Sequence, residues 1–429
     1  MKTPELLSPA GTLKNLRYAL AYGADAVYAG LPRYSLRVRN NDFREDKLRI
    51  GIDEAHRHGR QFFVAANLMP HGAKLKTFLN DMRAVIEMEP DALIMADPGL
   101  ILLARENWPE MPIHLSVQAN TVNAEAVRFW QGVGVRRVIL SRELSLDEIE
   151  EIRQACPDIE LEVFVHGALC IAYSGRCLLS GYFNHRDANQ GACTNSCRWE
   201  YRIAKADIDA VAGQAATPIQ RHPAADEVYY LEEPSRAGER MPIFEDEHGT
   251  YIMNSKDLRA VEHVHRLTRI GVDCLKIEGR TKSFYYTARA TQVYRRAIDD
   301  AIAGRAFDPT LMSELESLAN RGYTDGFLQR HESDELQSYR QGSSRSERQL
   351  FVGEITTVDG GLAEVEVKNK FGIGDRLQLL TPDGNREFVL EQMWGQNDEP
   401  MREAPGGGYH VRIPLPVGAG PMALLARFL

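Results

Sequence analysis

Residues 137–167 read RVILSRELSLDEIEEIRQACPDIELEVFVHG, and this stretch contains a complete strand–helix–strand unit. Its two ends are short apolar runs of the kind that form buried strands. The residues between them, 145–157, have apolar side chains at helical spacing and open with a capping box formed by Ser145 and Glu148. A helix between two buried strands predicts a parallel βαβ unit.

The same rhythm continues on both sides of this unit. Short apolar runs end in small or polar residues, and longer segments of helical periodicity lie between them. We count eight such runs, which are residues 5–11, 25–30, 61–67, 92–99, 113–120, 137–144, 161–167 and 274–280. Eight βα units predict an α/β fold of the TIM-type (β/α)8 barrel, in which the active site is built at the carboxyl ends of the strands. Polar residues that directly follow each run are therefore the first candidates for function.

The domain organisation follows from the segments outside this rhythm. Roughly a hundred residues separate the seventh and eighth runs, far more than the usual connection, so we predict a barrel domain over 1–340 with a cysteine-rich insertion at about 166–253. Residues 255–271 have helical periodicity and predict a helix that leads into the eighth strand. The small, polar and charged segment 341–349 is expected to be a linker. Short alternating runs in 350–429 predict a small C-terminal all-β barrel domain.

The composition is that of an ordinary soluble globular protein. Hydrophobic residues make up 44% and charged residues 26% of 429 positions, and no apolar run is long enough to cross a bilayer. The amino-terminal residues lack the apolar stretch and cleavage site of a secretory signal, so we expect no membrane association and a cytoplasmic location. A formal net charge of −9 argues against a generally basic surface, so any RNA binding must be local.

Four of the six cysteines fall within 28 positions, at Cys170, Cys177, Cys193 and Cys197. Six cysteines are few for a disulfide framework in a chain of this length, whereas four clustered thiolates suit a metal centre. The spacing Cys-x6-Cys-x15-Cys-x3-Cys contains no Cys-x2-Cys knuckle of the kind that zinc ribbons use. Thiolates are also the ligands of iron–sulfur clusters. On the residues alone, an iron–sulfur cluster, a structural zinc site, redox thiols and accidental clustering all stay open.

The eighth predicted strand carries three charged side chains at alternate positions. Lys276 and Glu278 are expected to face the barrel interior, and Arg280 is expected to lie at its mouth. We predict catalytic or ligand-contacting roles for all three, and the guanidinium of Arg280 suits an anion. A buried Lys–Glu ion pair that stabilises the barrel is an equally good interpretation of Lys276 and Glu278.

Polar residues also follow the fifth and sixth strands. Gln118 and Asn120 come after the fifth run and Arg142 lies at the end of the sixth. We predict that these three side chains bind substrate at the barrel mouth. Their alternative role is to cap the helices that follow.

Three further residues lie near the insertion. His166 precedes the sequence Gly-Ala-Leu-Cys, so it is predicted to shuttle a proton or to hydrogen-bond a cluster sulfide, although a lone His is more often structural. Asn254 and Lys256 open the predicted helix before the eighth strand. A carboxylate or phosphate would bind at such a helix start, and a plain cap is the alternative.

A longer pattern surrounds the first two clustered cysteines. It consists of Glu162, Phe164, Gly167, Ala168, Leu169, Cys170, Gly175, Cys177, Leu179 and Ser180. These residues resemble the signature E-x-F-x-x-G-A-L-C-x4-G-x-C-x-L-S of the collagenase-like (U-32) peptidase family. The resemblance extends to LLSPAG (6–11), KIEGRTKS (276–283), NRGYTDGF (320–327) and the C-terminal β-domain. It therefore covers nearly the whole chain.

The resemblance implies an oxygen-independent hydroxylase with a 4Fe-4S cluster on the four cysteines. Substrates in the family are the tRNA wobble uridine, a ribosomal RNA cytidine and the ubiquinone ring. Chain length and domain order are similar to those of the tRNA enzyme, which implies tRNA as partner and prephenate as hydroxyl donor. An electron donor is not identified by the resemblance.

Two other classes of function stay as alternatives. One is a peptidase or collagenase, and the other is a zinc-stapled RNA-binding protein without catalysis. The sequence contains neither the His-Glu-x-x-His pattern of zinc peptidases nor a Gly-x-Ser-x-Gly elbow. The peptidase interpretation therefore lacks catalytic residues.

Overall fold

The computed structural model describes residues 2–36, 42–169, 256–320, 322–329, 348–416, 420 and 422–429, together with five short strands between residues 204 and 251. Among these residues, no helix is both long and apolar enough to cross a membrane. The predicted linker, 341–349, lies outside the described residues except for its last two positions.

Eight parallel strands close into a barrel, which confirms the predicted TIM-type fold. The strands of this part of the chain are β1 (Glu5–Pro9), β2 (Ala26–Gly30), β3 (Gln61–Ala66), β4 (Ala92–Met95), β5 (Ile113–Leu115), β6 (Arg137–Ile139), β7 (Glu160–Ala168), β8 (Ala204–Lys205), β9 (Thr217–Pro218), β10 (Tyr229–Glu232), β11 (Arg240–Asp246), β12 (Gly249–Tyr251), β13 (Asp257–Arg259), β14 (Cys274–Ile277) and β15 (Tyr323–Thr324). Strands β1 to β7 pair in order, and β14 pairs in parallel with both β7 and β1, so the sheet is closed. In the insertion, β10, β11 and β12 form an antiparallel sheet.

Helices alternate with the barrel strands, as the βα rhythm predicts. They are α1 (Leu13–Ala21), α2 (Glu45–Arg57), α3 (Gly72–Leu75), α4 (Phe78–Ile86), α5 (Pro98–Asn107), α6 (Ala124–Gly132), α7 (Leu146–Ala155), α8 (Val264–Ile270), α9 (Phe284–Ile302) and α10 (Thr310–Glu316). Helix α7 begins with the predicted capping box, because the Ser145 hydroxyl accepts from the N–H of Glu148 and the Glu148 carboxylate accepts from the N–H of Ser145.

Strand β7 is nine residues long, and its carboxyl end reaches past the barrel wall. There β13 pairs with it in antiparallel fashion, with Asp257 opposite Ala168. The helix predicted over 255–271 is therefore wrong at its start, since α8 begins only at Val264. The protruding end of β7 offers backbone groups for pairing, and this tertiary contact outweighs the local helical periodicity. Lys256 thus precedes a strand rather than opening a helix.

The C-terminal part is all-β, as predicted. Its strands are β16 (Gln349–Asp359), β17 (Leu362–Val367), β18 (Phe371–Gly372), β19 (Arg376–Thr381), β20 (Gly384–Val389), β21 (Trp394–Gly395), β22 (Glu403–Ala404), β23 (His410–Pro414) and β24 (Leu424–Phe428). Seven of them form one antiparallel sheet in the order β20-β19-β24-β16-β17-β23-β21, and β18 pairs with β22. Every second residue of β17 is buried, so this strand covers a hydrophobic core that belongs to the domain.

The two domains share a packed interface. Leu380, Leu424 and Ala426 of the C-terminal domain join the hydrophobic core of the barrel domain. Tyr22 in α1 donates its hydroxyl to the backbone oxygen of Leu380 at 3.1 Å. Arg289 in α9 is fully buried and donates to two glutamines of the C-terminal domain. These contacts fix the C-terminal domain against α1 and α9.

A candidate active site at the carboxyl end of the barrel

Arg280 follows β14 and lies at the barrel mouth, as predicted from its place in the sequence. Its Nη2 donates to the backbone oxygen of Leu36 at 2.6 Å, and its guanidinium lies 5.8 Å from the ring centre of Tyr28. Only 8% of the side chain is exposed. Gly30 makes room for it, because a Cβ there would lie 2.2 Å from Arg280 Nη1. Strand β2 and the loop after it therefore hold a confined cation at the mouth, where it suits an anionic ligand.

Glu278 is buried where β14 leaves the barrel. The Tyr28 hydroxyl donates to its Oε2 at 3.1 Å, and its backbone N–H donates to the backbone oxygen of His166 at 2.9 Å. Gly167 has a φ of +110°, and a Cβ there would lie 2.4 Å from the backbone oxygen of Glu278. Because only glycine tolerates this approach, the ends of β7 and β14 are in direct contact.

His166 is enclosed by tyrosines. The ring centres of Tyr286, Tyr294 and Tyr323 lie 5.6, 5.5 and 5.6 Å from that of the imidazole. The Tyr294 hydroxyl lies 3.4 Å from Nδ1, whereas Nε2 has no hydrogen-bond partner within the described part of the chain. Burial lowers the pKa of His166 to about 3, so the imidazole is neutral at physiological pH. A neutral imidazole suits hydrogen bonding better than proton shuttling.

Lys276 lies inside the barrel and forms an ion pair. Its Nζ lies 2.7 Å from Glu162 Oε1, and the two side chains are 4% and 0% exposed. Arg137 Nη1 lies 3.3 Å from the other oxygen of Glu162. This geometry agrees with a stabilising role for Lys276. The carboxylate 2.7 Å from its Nζ belongs to Glu162 on β7, whereas the sequence suggests Glu278 as the partner.

The turn after β5 places an amide at the mouth. Gln118 is 1% exposed, and in the described residues neither atom of its side-chain amide has a hydrogen-bond partner. Asn120 has a left-handed backbone with a φ of +52°, and its Nδ2 donates to the backbone oxygen of Gln118 at 2.7 Å. Helix α6 is capped by Asn123, so Gln118 and Asn120 do not cap it, and Asn120 instead ends the 3-10 turn Val117–Ala119. An unbonded buried amide is costly, at about 1–3 kcal/mol, and it suits a polar ligand.

Arg142 lies over the adjacent wall of the mouth. Its guanidinium lies 3.8 Å from the ring centre of Phe164, and the Nζ of Lys276 lies 5.3 Å from the same ring. Helix α7 is capped by Ser145, so Arg142 is not needed as a cap. Because Phe164 belongs to β7, Arg142 lies next to this strand, on the side from which the cysteine segment leaves.

Five of the predicted site residues lie outside the described residues, namely Cys170, Cys177, Cys193, Cys197 and Asn254. Strand β7 ends at Ala168, two residues before the first of these cysteines. The chain therefore enters the cysteine segment directly from the carboxyl end of the barrel. Lys256 is half-buried beside the NRGYTDGF segment, where a Cβ on Gly322 would lie 3.6 Å from its Cγ. Cys156 and Cys274 are buried, as expected of small apolar side chains.

A cavity of about 540 Å³ lies at the opposite, amino-terminal end of the barrel. Its charged groups are paired with one another, with Arg60 2.7 Å from Asp25 and Arg137 2.7 Å from Glu5. In TIM barrels this end serves stability, whereas catalysis uses the carboxyl end. We therefore place the candidate site at the carboxyl end.

The sequence profile of peptidase family U32 matches residues 11–338, and the profile of the family U32 C-terminal domain matches residues 347–426. The chain belongs to peptidase family U32. Similar proteins include "tRNA hydroxylation protein P" from Escherichia coli (strain K12), which is 62% identical over 97% of this chain and 94% of its own length. The protein of the same name from Haemophilus influenzae is 59% identical over 96% of this chain and 93% of its own length. Its namesake from Helicobacter pylori (strain J99) is 40% identical over 84% and 80% of the two chains.

Several residues around the candidate active site are not predicted by the sequence patterns. Tyr28 lies within an apolar strand, where nothing distinguishes it from a core residue. Tyr286 and Tyr294 are eight positions apart in α9, so they share a helix face, and this spacing was a usable signal. Asn67 directly follows β3, and the rule that found Gln118 applies equally to it.

Proposed function

We propose that this chain hydroxylates the wobble uridine of tRNA at C5 without molecular oxygen. In this proposal prephenate is the hydroxyl donor, and Cys170, Cys177, Cys193 and Cys197 hold a 4Fe-4S cluster. Relatives that are 62% and 59% identical over nearly the full chain are described as tRNA hydroxylation proteins, which supports the tRNA substrate. The observation that carries the proposal is the set of confined polar side chains at the barrel mouth, where the cysteine segment begins.

Arg280 supports the binding of a carboxylate donor. Its guanidinium is oriented before any ligand arrives, by the hydrogen bond to Leu36 and by the ring of Tyr28. Preorganisation of this kind reduces the entropy lost on binding. Arg142 provides a second guanidinium on the neighbouring wall, where it lies over Phe164. Two cations suit prephenate because this molecule carries two carboxylates.

Gln118 supports recognition of the base. Its amide combines a hydrogen-bond donor and an acceptor, which complement the N3–H and a carbonyl oxygen of uracil. An enzyme that modifies a base must take that base out of its stack, and an anticodon loop presents unstacked bases. A flipped uracil would satisfy the buried amide atoms that the described residues leave unbonded.

The cysteine segment supports a cluster through its donor set. Four thiols match a 4Fe-4S cluster in number and kind, and the bound cluster would supply Lewis-acid or electron-transfer chemistry. The chain's own contribution there is the neutral imidazole of His166, four positions before Cys170, as a hydrogen-bonding group. Lys276 is occupied by Glu162 and serves the stability of the barrel wall.

Nucleoside analysis of tRNA from a strain without this gene tests the proposal. We expect nucleosides of the 5-hydroxyuridine type to disappear, and the wild-type chain to restore them. Cys193→Ala should not restore them, whereas Cys156→Ala should, because Cys156 is a buried cysteine outside the clustered set. Unchanged wobble nucleosides in the deletion strain would contradict tRNA hydroxylation. Full restoration by Cys193→Ala would contradict the proposed 4Fe-4S cluster but not tRNA hydroxylation.

The alternatives give different results. Loss of a hydroxylated cytidine from ribosomal RNA, or of ubiquinone, would assign a hydroxylase with another substrate. Anaerobic purification distinguishes an iron–sulfur cluster from a zinc site. An iron–sulfur protein is brown and absorbs broadly near about 400 nm, whereas a zinc protein is colourless. Hydroxylation by the purified protein should also stop when prephenate is omitted.

A further inference from the structure

Residues of both domains line an open cavity of about 430 Å³ on the same side of the barrel as the mouth. It lies at the amino end of α9, which follows β14 and therefore starts at the carboxyl end of the barrel. Tyr286 belongs to both places, since it lines the cavity while its hydroxyl donates to the backbone oxygen of Glu278 at 2.8 Å. The cavity is thus next to the candidate active site.

The wall of the cavity is aromatic. Tyr285 of α9 stacks on Phe351 of the C-terminal domain, with ring centres 4.7 Å apart and planes 14° from parallel. Tyr285 is only 6% exposed, and its hydroxyl has no hydrogen-bond partner in the part of the chain that is described. A buried hydroxyl of this kind indicates a polar group that is still to be bound.

One cationic side chain lines the cavity. It is Lys282, whose Nζ lies 5.4 Å from the ring centre of Tyr286. Helix α9 has 19 residues and is capped by Ser283, so the N–H groups of its first turn give this end a partial positive charge. Anions, phosphate above all, bind at such helix ends.

We propose that this interdomain cavity binds the nucleotide next to the target uridine in the substrate RNA. The base lies against the wall formed by Tyr285 and Phe351, and its phosphate lies near Lys282 and the amino end of α9. This inference rests on the proposed function. Aromatic walls beside a cationic groove are the general means by which proteins hold single-stranded nucleic acid. The volume agrees with small-ligand pockets, which measure about 300–1,000 Å³.

The proposal also explains how a chain with a net charge of −9 binds RNA. Its positive groups must act locally, and Lys282 lies two positions from Arg280 at the mouth. Flipping a base out of its stack frees the neighbouring base as well. A second pocket beside the first holds that neighbour, and the C-terminal domain is needed because it provides Phe351, one of the two stacked rings of the wall.

Filling the cavity tests the proposal. Ala319 lies exposed at its rim, so Ala319→Trp places an indole in the cavity without removing a core side chain. The matched control is Ala303→Trp, an exposed position at the other end of α9, roughly 28 Å away at about 1.5 Å per residue. The probe is an anticodon stem-loop RNA with 2-aminopurine at one of the two positions that flank the target uridine.

We expect the wild type and Ala303→Trp to change 2-aminopurine fluorescence at one flanking position. Ala319→Trp should abolish this change and weaken RNA binding by about 10- to 100-fold, the range for one stacked base. Lys282→Gln should reduce the slope of log Kd against log salt concentration by about one, as for loss of one phosphate contact.

The outcomes separate this inference from the proposed function. If Ala319→Trp binds the RNA as tightly as the wild type while wild-type protein still hydroxylates tRNA, the cavity proposal is wrong and the proposed function stands. If Ala319→Trp loses the fluorescence change but the deletion strain keeps its wobble modification, the cavity binds a nucleotide of RNA, but the proposed function is wrong and so is the assignment of that nucleotide to the neighbour of a target uridine. Failure of the wild type to bind the RNA overturns the cavity proposal, whereas the proposed function is decided by the nucleoside analysis of the deletion strain.

Discussion

Replacing Lys276 with Met removes a cation from the inside of the barrel and leaves Glu162 without its partner at 2.7 Å. Loss of one member of a buried ion pair typically lowers the free energy of unfolding by about 3–5 kcal/mol. Arg137 stays 3.3 Å from Glu162 and keeps part of the compensation, so we expect the lower end of this range. At about 2 °C per kcal/mol for a chain of this size, about 3 kcal/mol lowers the Tm by about 6 °C.

The matched control is Lys370→Met, the same change in an exposed ion pair. Lys370 Nζ lies 2.8 Å from Glu403, but the two side chains are 57% and 51% exposed. Exposed pairs contribute about 0–1 kcal/mol, so the Tm of this variant should fall by no more than about 2 °C. Adding Glu162→Gln to Lys276→Met removes the incompletely compensated charge and should recover part of the lost stability.

Thermal unfolding followed by circular dichroism measures these shifts, and hydroxylation assayed well below the Tm measures activity. Folded Lys276→Met protein should retain most of its activity, because Lys276 belongs to the barrel wall. A variant with the Tm of the wild type and no activity would instead show that Lys276 takes part in catalysis.

Three other variants examine the barrel mouth. Gly30→Ala should displace Arg280 and Ser35, since the new Cβ would lie 2.2 Å from Arg280 Nη1 and 2.3 Å from Ser35 Oγ, and we expect the KM for prephenate to rise at least about 10-fold in protein that still folds. Gln118→Leu replaces the glutamine with a side chain of similar shape and removes an unbonded buried amide. The kcat/KM should therefore fall by about 10- to 100-fold while the Tm stays equal or rises. A lower Tm with unchanged kcat/KM would contradict this. For His166 the folded pKa is about 3, against about 6.5 in the unfolded chain, so between these pH values the unfolded state binds more protons and wild-type stability falls as the pH falls. Urea unfolding at several pH values should show a shallower fall for His166→Asn and no difference for His58→Asn, which changes an exposed histidine.

The barrel strands could be predicted because each parallel strand is buried on both faces and therefore forms an uninterrupted apolar run. The runs extended beyond the observed strands, as for 113–120, of which only Ile113–Leu115 is strand. The additional residues form the turn that carries Gln118, so the part of the run wrongly predicted as strand contains a candidate functional residue. The short β13 could not be predicted, because what makes it a strand is the free edge of β7, far away in the sequence.

The residue types at the site could be predicted from their position after strands, but their partners could not. Lys276 contacts Glu162 across 114 positions of sequence, and Arg280 contacts Leu36 across 244. Local periodicity says which face of a strand a side chain occupies and nothing about which distant strand lies beside it. The closure of the barrel decides these pairs, by bringing β14 between β7 and β1.

The length of β7 connects the barrel to the cysteine segment. Its middle part is barrel wall, paired with β14 from Glu162 to His166, with an irregularity between Lys276 and Ile277. Its last residues pair instead with β13, so the chain leaves for the insertion on β7 and returns from it on a strand paired with the end of β7. Sites built on rigid strands are held more precisely than sites on loops. Both described ends of the insertion, at β7 and β13, are therefore fixed beside His166.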